Sequence, residues 1–137
     1  MKTYEATLVK VVDGDTVDVD IHLGFNVTLS KQRIRVMGID APESRTSDPT
    51  EKVFGLAAKS RVRELLHEEE LQLVTTDQQH EKFGRILGDF RIGDRLMTDI
   101  LVEEGYAVRY NGGNKEELEI EHLRNREKLI NSNRVQL

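Results

Sequence analysis

From Tyr4 to Val12 apolar side chains crowd at strand spacing (Ala6, Leu8, Val9, Val11, Val12), and Asp13-Gly14-Asp15 then supplies the residues of a tight turn. A cleaner alternation follows, with Val17, Val19, Ile21 and Leu23 set against Asp18, Asp20 and His22, so one face enters a core and the other meets water. Gly24 breaks the run, Phe25, Val27 and Leu29 restart it, and Ser30-Lys31-Gln32 leads into a third stretch, Arg33 to Ile39. Consecutive strands of this kind predict an antiparallel meander. Pro42 ends it, and residues 44–50 read as loop.

The period then changes. Phe54, Ala57, Ala58, Val62 and Leu65 recur at helical spacing, which predicts an amphipathic helix over Glu51 to Glu68. A short strand around Leu71 to Thr75, a polar tip from Asp77 to Lys82 and a strand from Arg85 to Ile92 make a hairpin. Asp94 is placed to cap a helix carrying Leu96, Met97, Ile100 and Leu101, which Gly105 stops. Asn114 with Glu117 resembles a capping box for a last helix over 115–130, whose stripe is weak: Leu118 and Leu129 share a face with His122 and Asn125 between them. Five short strands with a helix after the third give an α+β chain in the element order of an OB-fold, a five-stranded Greek-key barrel, here with about three helices.

Composition narrows the function. A chain of 137 residues is expected to form one domain over 1–137, and the lack of cysteine removes disulfide frameworks, thiolate metal sites and cysteine nucleophiles. No window approaches the roughly 18 to 20 apolar residues of a membrane span, and Met1-Lys2-Thr3-Tyr4-Glu5 opens no signal peptide. The chain as written is therefore expected in the cytoplasm, as a monomer away from membranes, although a mature secreted form stripped of its leader would read the same. A net charge of −5 opposes coating of nucleic acid by bulk electrostatics. The charges are unevenly spread, however: Lys2 and Lys10 face five acids within residues 1–30, whereas Lys31, Arg33, Arg35 and Arg45 outnumber Asp40 and Glu43 over 31–45. An acidic cluster beside an arginine-rich one can hold a cation and a phosphate together, and solvated surface charge looks the same.

Asp13-Gly14-Asp15-Thr16 is compatible with a simple turn and with a metal site. An EF-hand is excluded, because counting from Asp13 puts Gly24 at the twelfth position, where a bidentate glutamate is required. Asp40 ends the third strand of a meander whose first turn holds Asp15, so strand pairing can bring the two together. With a backbone carbonyl such as that of Ala41 they would suit a hard cation, while Asp40 could equally cap a turn before Pro42. Glu43, three residues on, is placed to orient or deprotonate a water beside such a metal. Alternation puts Arg35 on the side of Met37 and Ile39, where a phosphate or a structural carboxylate could satisfy its guanidinium. Lys82-Phe83-Gly84-Arg85 sets two cations astride an aromatic ring, which fits a nucleotide and also fits a charged hairpin tip. His22, His67, His80 and His122 form no zinc-like set and are expected as surface or filler residues.

Taken together, Val12-Asp13-Gly14-Asp15-Thr16, Arg35-Val36-Met37-Gly38-Ile39-Asp40-Ala41-Pro42-Glu43, Lys82-Phe83-Gly84-Arg85 and Leu101-Val102-Glu103-Glu104-Gly105-Tyr106-Ala107 resemble the staphylococcal-nuclease-like, or thermonuclease, family of calcium-dependent nucleases, from about Glu5 to Gly113. The resemblance implies an OB-fold barrel with three helices and a Ca²⁺ held by Asp15, Asp40 and the Ala41 carbonyl. It makes Glu43 the general base and gives Arg35 and Arg85 to the phosphate, with Lys82, Phe83 and Tyr110 at the substrate. Cleavage of DNA and RNA with little sequence preference is expected, single strands first because they bend most cheaply, and the resemblance implies 3′-phosphate products. Ala41 stands where many members have threonine, Phe83 where many have tyrosine, and Tyr110-Asn111-Gly112-Gly113 is shorter than a two-tyrosine segment. Two rivals are a non-catalytic OB-fold that binds single strands, for which 5% aromatics is poor equipment, and a calcium-stabilised structural domain.

Overall fold

The computed structural model describes residues 2–80 and 84–137, with the backbone alone for 76–80. Lys82 and Phe83, both expected at the substrate, lie outside the described residues. The strands β1 (Lys2–Asp13), β2 (Thr16–Gly24) and β3 (Val27–Val36) form the expected meander. β5 (Leu71–His80) and β6 (Ile86–Ile92) form the hairpin, and the sheet runs β3-β2-β1-β5-β6. A parallel pairing of β3 with β6, from Ile34 opposite Ile86 to Val36 opposite Gly88, closes these five strands into a barrel. At that seam Gly88 also lies tight against β5, since a Cβ there would meet Leu73 Cδ1 at 2.9 Å and the Val74 carbonyl at 3.1 Å. Two short pairs finish the sheet work: β4 (Ile39–Asp40) with β8 (Val108–Arg109), and β6 with β7 (Arg95–Leu96).

The barrel interior is filled by the alternating side chains of the strands, among them Ala6, Val17, Val19, Ile34, Val36, Leu73 and Phe90. Residues 30–32 do not separate two strands. The register steps past an extra residue there, Lys31 takes a φ of 53°, and its N–H donates to Asp20 Oδ1 at 2.8 Å, so the chain bulges and stays in the sheet. At the other end of β3 the expected alternation through Ile39 stops at Val36, because Gly38 takes a φ of 77° and turns the chain into β4.

Helix α1 (Pro49–Leu65) starts earlier than its apolar period indicates, because Asp48 caps the Thr50 and Glu51 amides and Pro49 fits the first turn. Phe54, Ala58, Val62 and Leu66 form the stripe that seals the barrel. For α2 (Met97–Glu104) the cap is not Asp94. The N-cap position is Leu96, and the buried Asp89 of β6 does the capping from the sheet, accepting from the Thr98 N–H at 3.3 Å and its hydroxyl at 2.6 Å. Gly105 ends α2 in the left-handed conformation as expected, and Asn114 caps α3 (Lys115–Asn131). Among the described residues no helix is long and apolar enough to cross a membrane.

Two measurements probe these constraints. A Cβ on Gly55 would sit well inside contact distance of the Glu43 carbonyl and 2.6 Å from the Ser44 nitrogen. Helix propensity alone would make Gly55→Ala stabilising by about 0.8–1.0 kcal/mol, whereas forcing backbone apart costs about 1–3 kcal/mol or more. We expect net destabilisation in urea unfolding; a gain would refute the close approach. Burial raises the Asp89 carboxyl above its ordinary value, against the opposing hydrogen bonds from Thr98 and Phe90. A raised folded value means this contribution to stability is full below the unfolded value, about 3.9, and is lost as pH rises through the folded one. The stability of the wild type relative to Asp89→Asn should therefore fall as pH rises from about 4, and a flat difference between denaturation series would contradict the assignment.

Candidate functional site

The site is built where the β1–β2 turn, the end of β3 and the segment after β4 meet beneath α1. Gly14 lets the turn come down: a Cβ there would lie 2.8 Å from Ala58 Cβ and 2.9 Å from Ala41 Cβ. The turn then grips the loop twice. Asp13 Oδ1 accepts from the Ser44 N–H at 3.0 Å and from the Ser44 hydroxyl. Asp15 Oδ2 accepts from the Ala41 N–H at 3.0 Å, while its Oδ1 accepts from the Thr16 hydroxyl at 3.0 Å. Both aspartates thereby hold the loop that carries Glu43.

Arg35 is the electrostatic centre. It pairs in register with Thr16, next to Asp15, and its side chain is 19% exposed. Nη1 donates to the Val36 carbonyl at 2.7 Å and the Asp15 carbonyl at 3.4 Å, and Nη2 donates to the Ile39 carbonyl at 2.7 Å. These three bonds leave two of the five guanidinium donors and fix the plane of the group. Nη2 also lies 3.7 Å from Asp15 Oδ2 and 3.9 Å from Asp40 Oδ1, so one cation sits between two carboxylates. At partial burial such a pair of acids would repel strongly without it.

Asp40 is oriented from a second side by His122 on α3, whose Nε2 lies 2.8 Å from Oδ2. Glu43 is exposed, and its backbone N–H donates to Glu51 Oε2 at 3.1 Å, which pins the loop to α1. Among the described residues the Glu43 carboxylate has no partner of its own. It opens onto a groove of about 490 Å³ shared with Asp40, Tyr110, Lys115, His122 and Arg126. Tyr110 is held there by its N–H, which donates to the Gly38 carbonyl at 2.9 Å. Arg85 is half-buried, directly before the β6 stretch that pairs with β3, and has an interaction of its own.

The structure thus brings Asp15, Arg35, Asp40, Ala41 and Glu43 together, adds Tyr110 at the groove and sets Arg85 just before the neighbouring strand β6. His122, expected as surface or filler, is instead bonded to Asp40. Ser44, Glu51 and Gly55 carry no site signal in the sequence, although a glycine inside a helical pattern does signal close packing. Among the described residues no three acidic, histidine or cysteine side chains form a metal-holding group. Two carboxylates converging on one guanidinium nitrogen nonetheless offer hard oxygen donors, which fit a calcium-like cation completed by backbone oxygen and water.

The chain is similar to known nucleases. A family model described as staphylococcal nuclease homologue matches residues 33–137, a stretch that includes Arg35, Asp40, Glu43 and Arg85. The chain is 32% identical over 120 residues to a micrococcal nuclease of Shigella flexneri, covering 80% of this chain and 61% of that protein. It is 30% identical over 104 residues to a thermonuclease of Staphylococcus intermedius, covering 75% and 58%. With the endonuclease YncB of Bacillus subtilis the identity is 29% over 107 residues, covering 77% and 48%. The matched stretches span only 48–61% of these three relatives' lengths.

Proposed function

The chain belongs to the staphylococcal nuclease family, and from that premise we propose that it is a calcium-dependent nuclease that hydrolyses the phosphodiester bonds of DNA and RNA with little sequence preference. The observation that carries this reading is the bracketing of Arg35 by Asp15 and Asp40, with Asp40 also lining the groove onto which the exposed Glu43 opens.

In this reading Asp15, Asp40 and the Ala41 carbonyl would hold the cation, and calcium bound there would supply positive charge against the phosphoryl oxygens. Glu43 accepts a proton from the attacking water, a task open to an exposed carboxylate. Arg35 turns its two remaining donors to the phosphate, and because its plane is already fixed by three carbonyls, little reorganisation accompanies that contact. Arg85 adds the second guanidinium, while Tyr110 offers a stacking face that tolerates every base. A flexible single strand bends into a groove of this kind more cheaply than a duplex with a persistence length of about 150 base pairs.

The deciding experiment is a time course on single-stranded DNA, duplex DNA and RNA of one sequence, with calcium and with chelator. We expect all three to be cut, the single strand faster than the duplex, and chelator to stop the reaction. A strict requirement for one duplex site, or undiminished cleavage in chelator, would overturn the proposal. Glu43→Gln should retain calcium binding by calorimetry and lower kcat about 10²–10⁴-fold; a loss below tenfold would demote Glu43 to orienting the loop. Asp15→Ala and Asp40→Ala should each weaken calcium binding, and unchanged affinity in both would show that the cation sits elsewhere.

A further inference from the structure

Among the described residues helix α3 meets the site at one polar contact, that of His122 with Asp40. Over residues 115–124 its side chains are exposed apart from Leu118 and His122, which are half-buried. The C-terminal half is seated differently, by the Asn125 amide donating to the Ala107 carbonyl at 3.1 Å, by Leu129 in the core and by Arg126 stacked over the Phe54 ring at 5.3 Å. His122 reaches the other way, across the groove to Asp40, which is 82 positions earlier in the chain. Its side chain is 17% exposed, and the contact divides the Asp40 carboxylate: Oδ2 faces the imidazole, and Oδ1 faces Arg35 and, through it, Asp15.

A carboxylate fixed at one oxygen by a donor presents the other in a set direction, and such outer bonds govern how well a ligand serves its metal. We propose that His122 is a positioning residue of the calcium site: by donating from Nε2 to Asp40 Oδ2 it aims Oδ1 toward Asp15, and it couples calcium binding to docking of the N-terminal half of α3. The inference rests on the reading of Asp40 as a ligand. Its bland competitor is a hydrogen bond that only fastens the helix, and the two differ in what calcium feels. Because coupling is reciprocal, calcium must in turn hold the helix end more firmly.

The test uses the full chain and calcium alone, by calorimetry, with folding checked by circular dichroism. Leucine at 122 keeps bulk and removes the donor, whereas glutamine keeps an N–H that can serve the same oxygen. Loss of an outer-sphere partner commonly weakens a metal about 10–100-fold, so His122→Leu should bind calcium at least about tenfold more weakly, and His122→Gln should recover most of that loss. Wild-type affinity in His122→Leu while Asp40→Ala loses calcium would overturn the inference and leave the calcium site standing. Equal weakening by leucine and glutamine would overturn it too, since packing would then be the cause. Wild-type affinity in Asp40→Ala would instead remove the ligand assignment on which the inference is built. Should His122→Leu fail to fold, amide hydrogen exchange of the wild type decides: calcium should slow exchange over residues 115–124, and unchanged exchange there would refute the coupling.

Discussion

The approach of α1 to the Glu43–Ser44 backbone is the constraint on which the site depends. No side chain separates the two main chains at Gly55, so the loop rests on the helix with backbone against backbone. That contact sets the height of the loop above the barrel, and the neighbouring small residues follow from it. Gly14, Ala41 and Ala58 are packed where larger side chains would push turn, loop and helix apart. Only at this spacing can Asp13 reach both polar groups of Ser44, and Asp15 the Ala41 amide. Glycine inside a helix costs roughly 1 kcal/mol relative to alanine; what is gained is an exposed carboxylate on a loop that its surroundings hold from below and from both sides.

Charge is organised by the same geometry. Three acids lie close to the loop and would oppose folding if left alone, and two of them share Arg35, whose guanidinium is itself tied to three carbonyls of the strand ends. The arginine therefore has a structural task before any ligand arrives. It stitches the β1–β2 turn to β4 and balances the carboxylates at partial burial, where isolated charges are costly. Distances of 3.7 and 3.9 Å to the carboxylate oxygens are longer than hydrogen bonds, so the acids are compensated without being saturated.

What the sequence made legible was whatever has a local period or a local turn. The alternation from Val17 to Leu23 and the helical stripe from Phe54 to Val62 follow directly from side-chain geometry, as do the stop at Gly105 and the cap at Asn114. The barrel follows from strand order and family resemblance; strand pairing can bring Asp15 and Asp40 together, and the resemblance adds Arg35 and Glu43 to them. Long-range pairings were hidden. Asp94 looked like the α2 cap because capping is usually local, whereas Asp89 does it from a neighbouring strand. His122 lay on a weak helical stripe with nothing to indicate Asp40. Residues 30–32 carried loop composition, yet a bulge absorbs polar residues without leaving the sheet.

These hidden pairings are unevenly placed. Asp89 joins β6 to α2, which follows directly on the β6–β7 pairing, so its bond acts between elements already adjacent in the chain. His122 joins the loop to a helix half that is otherwise exposed, and there one hydrogen bond carries a larger share of the local stability. The parallel seam of the barrel and the main-chain contact at Gly55 hold the Arg35 strand and the Glu43 loop in a fixed relation. The wall of the groove formed by α3 is less constrained at its N-terminal end, beside Lys115 and Tyr110. Hydrogen bonds are thus concentrated at Arg35 and at the loop that carries Glu43, and the exposed half of α3 forms the less tightly held wall of the groove.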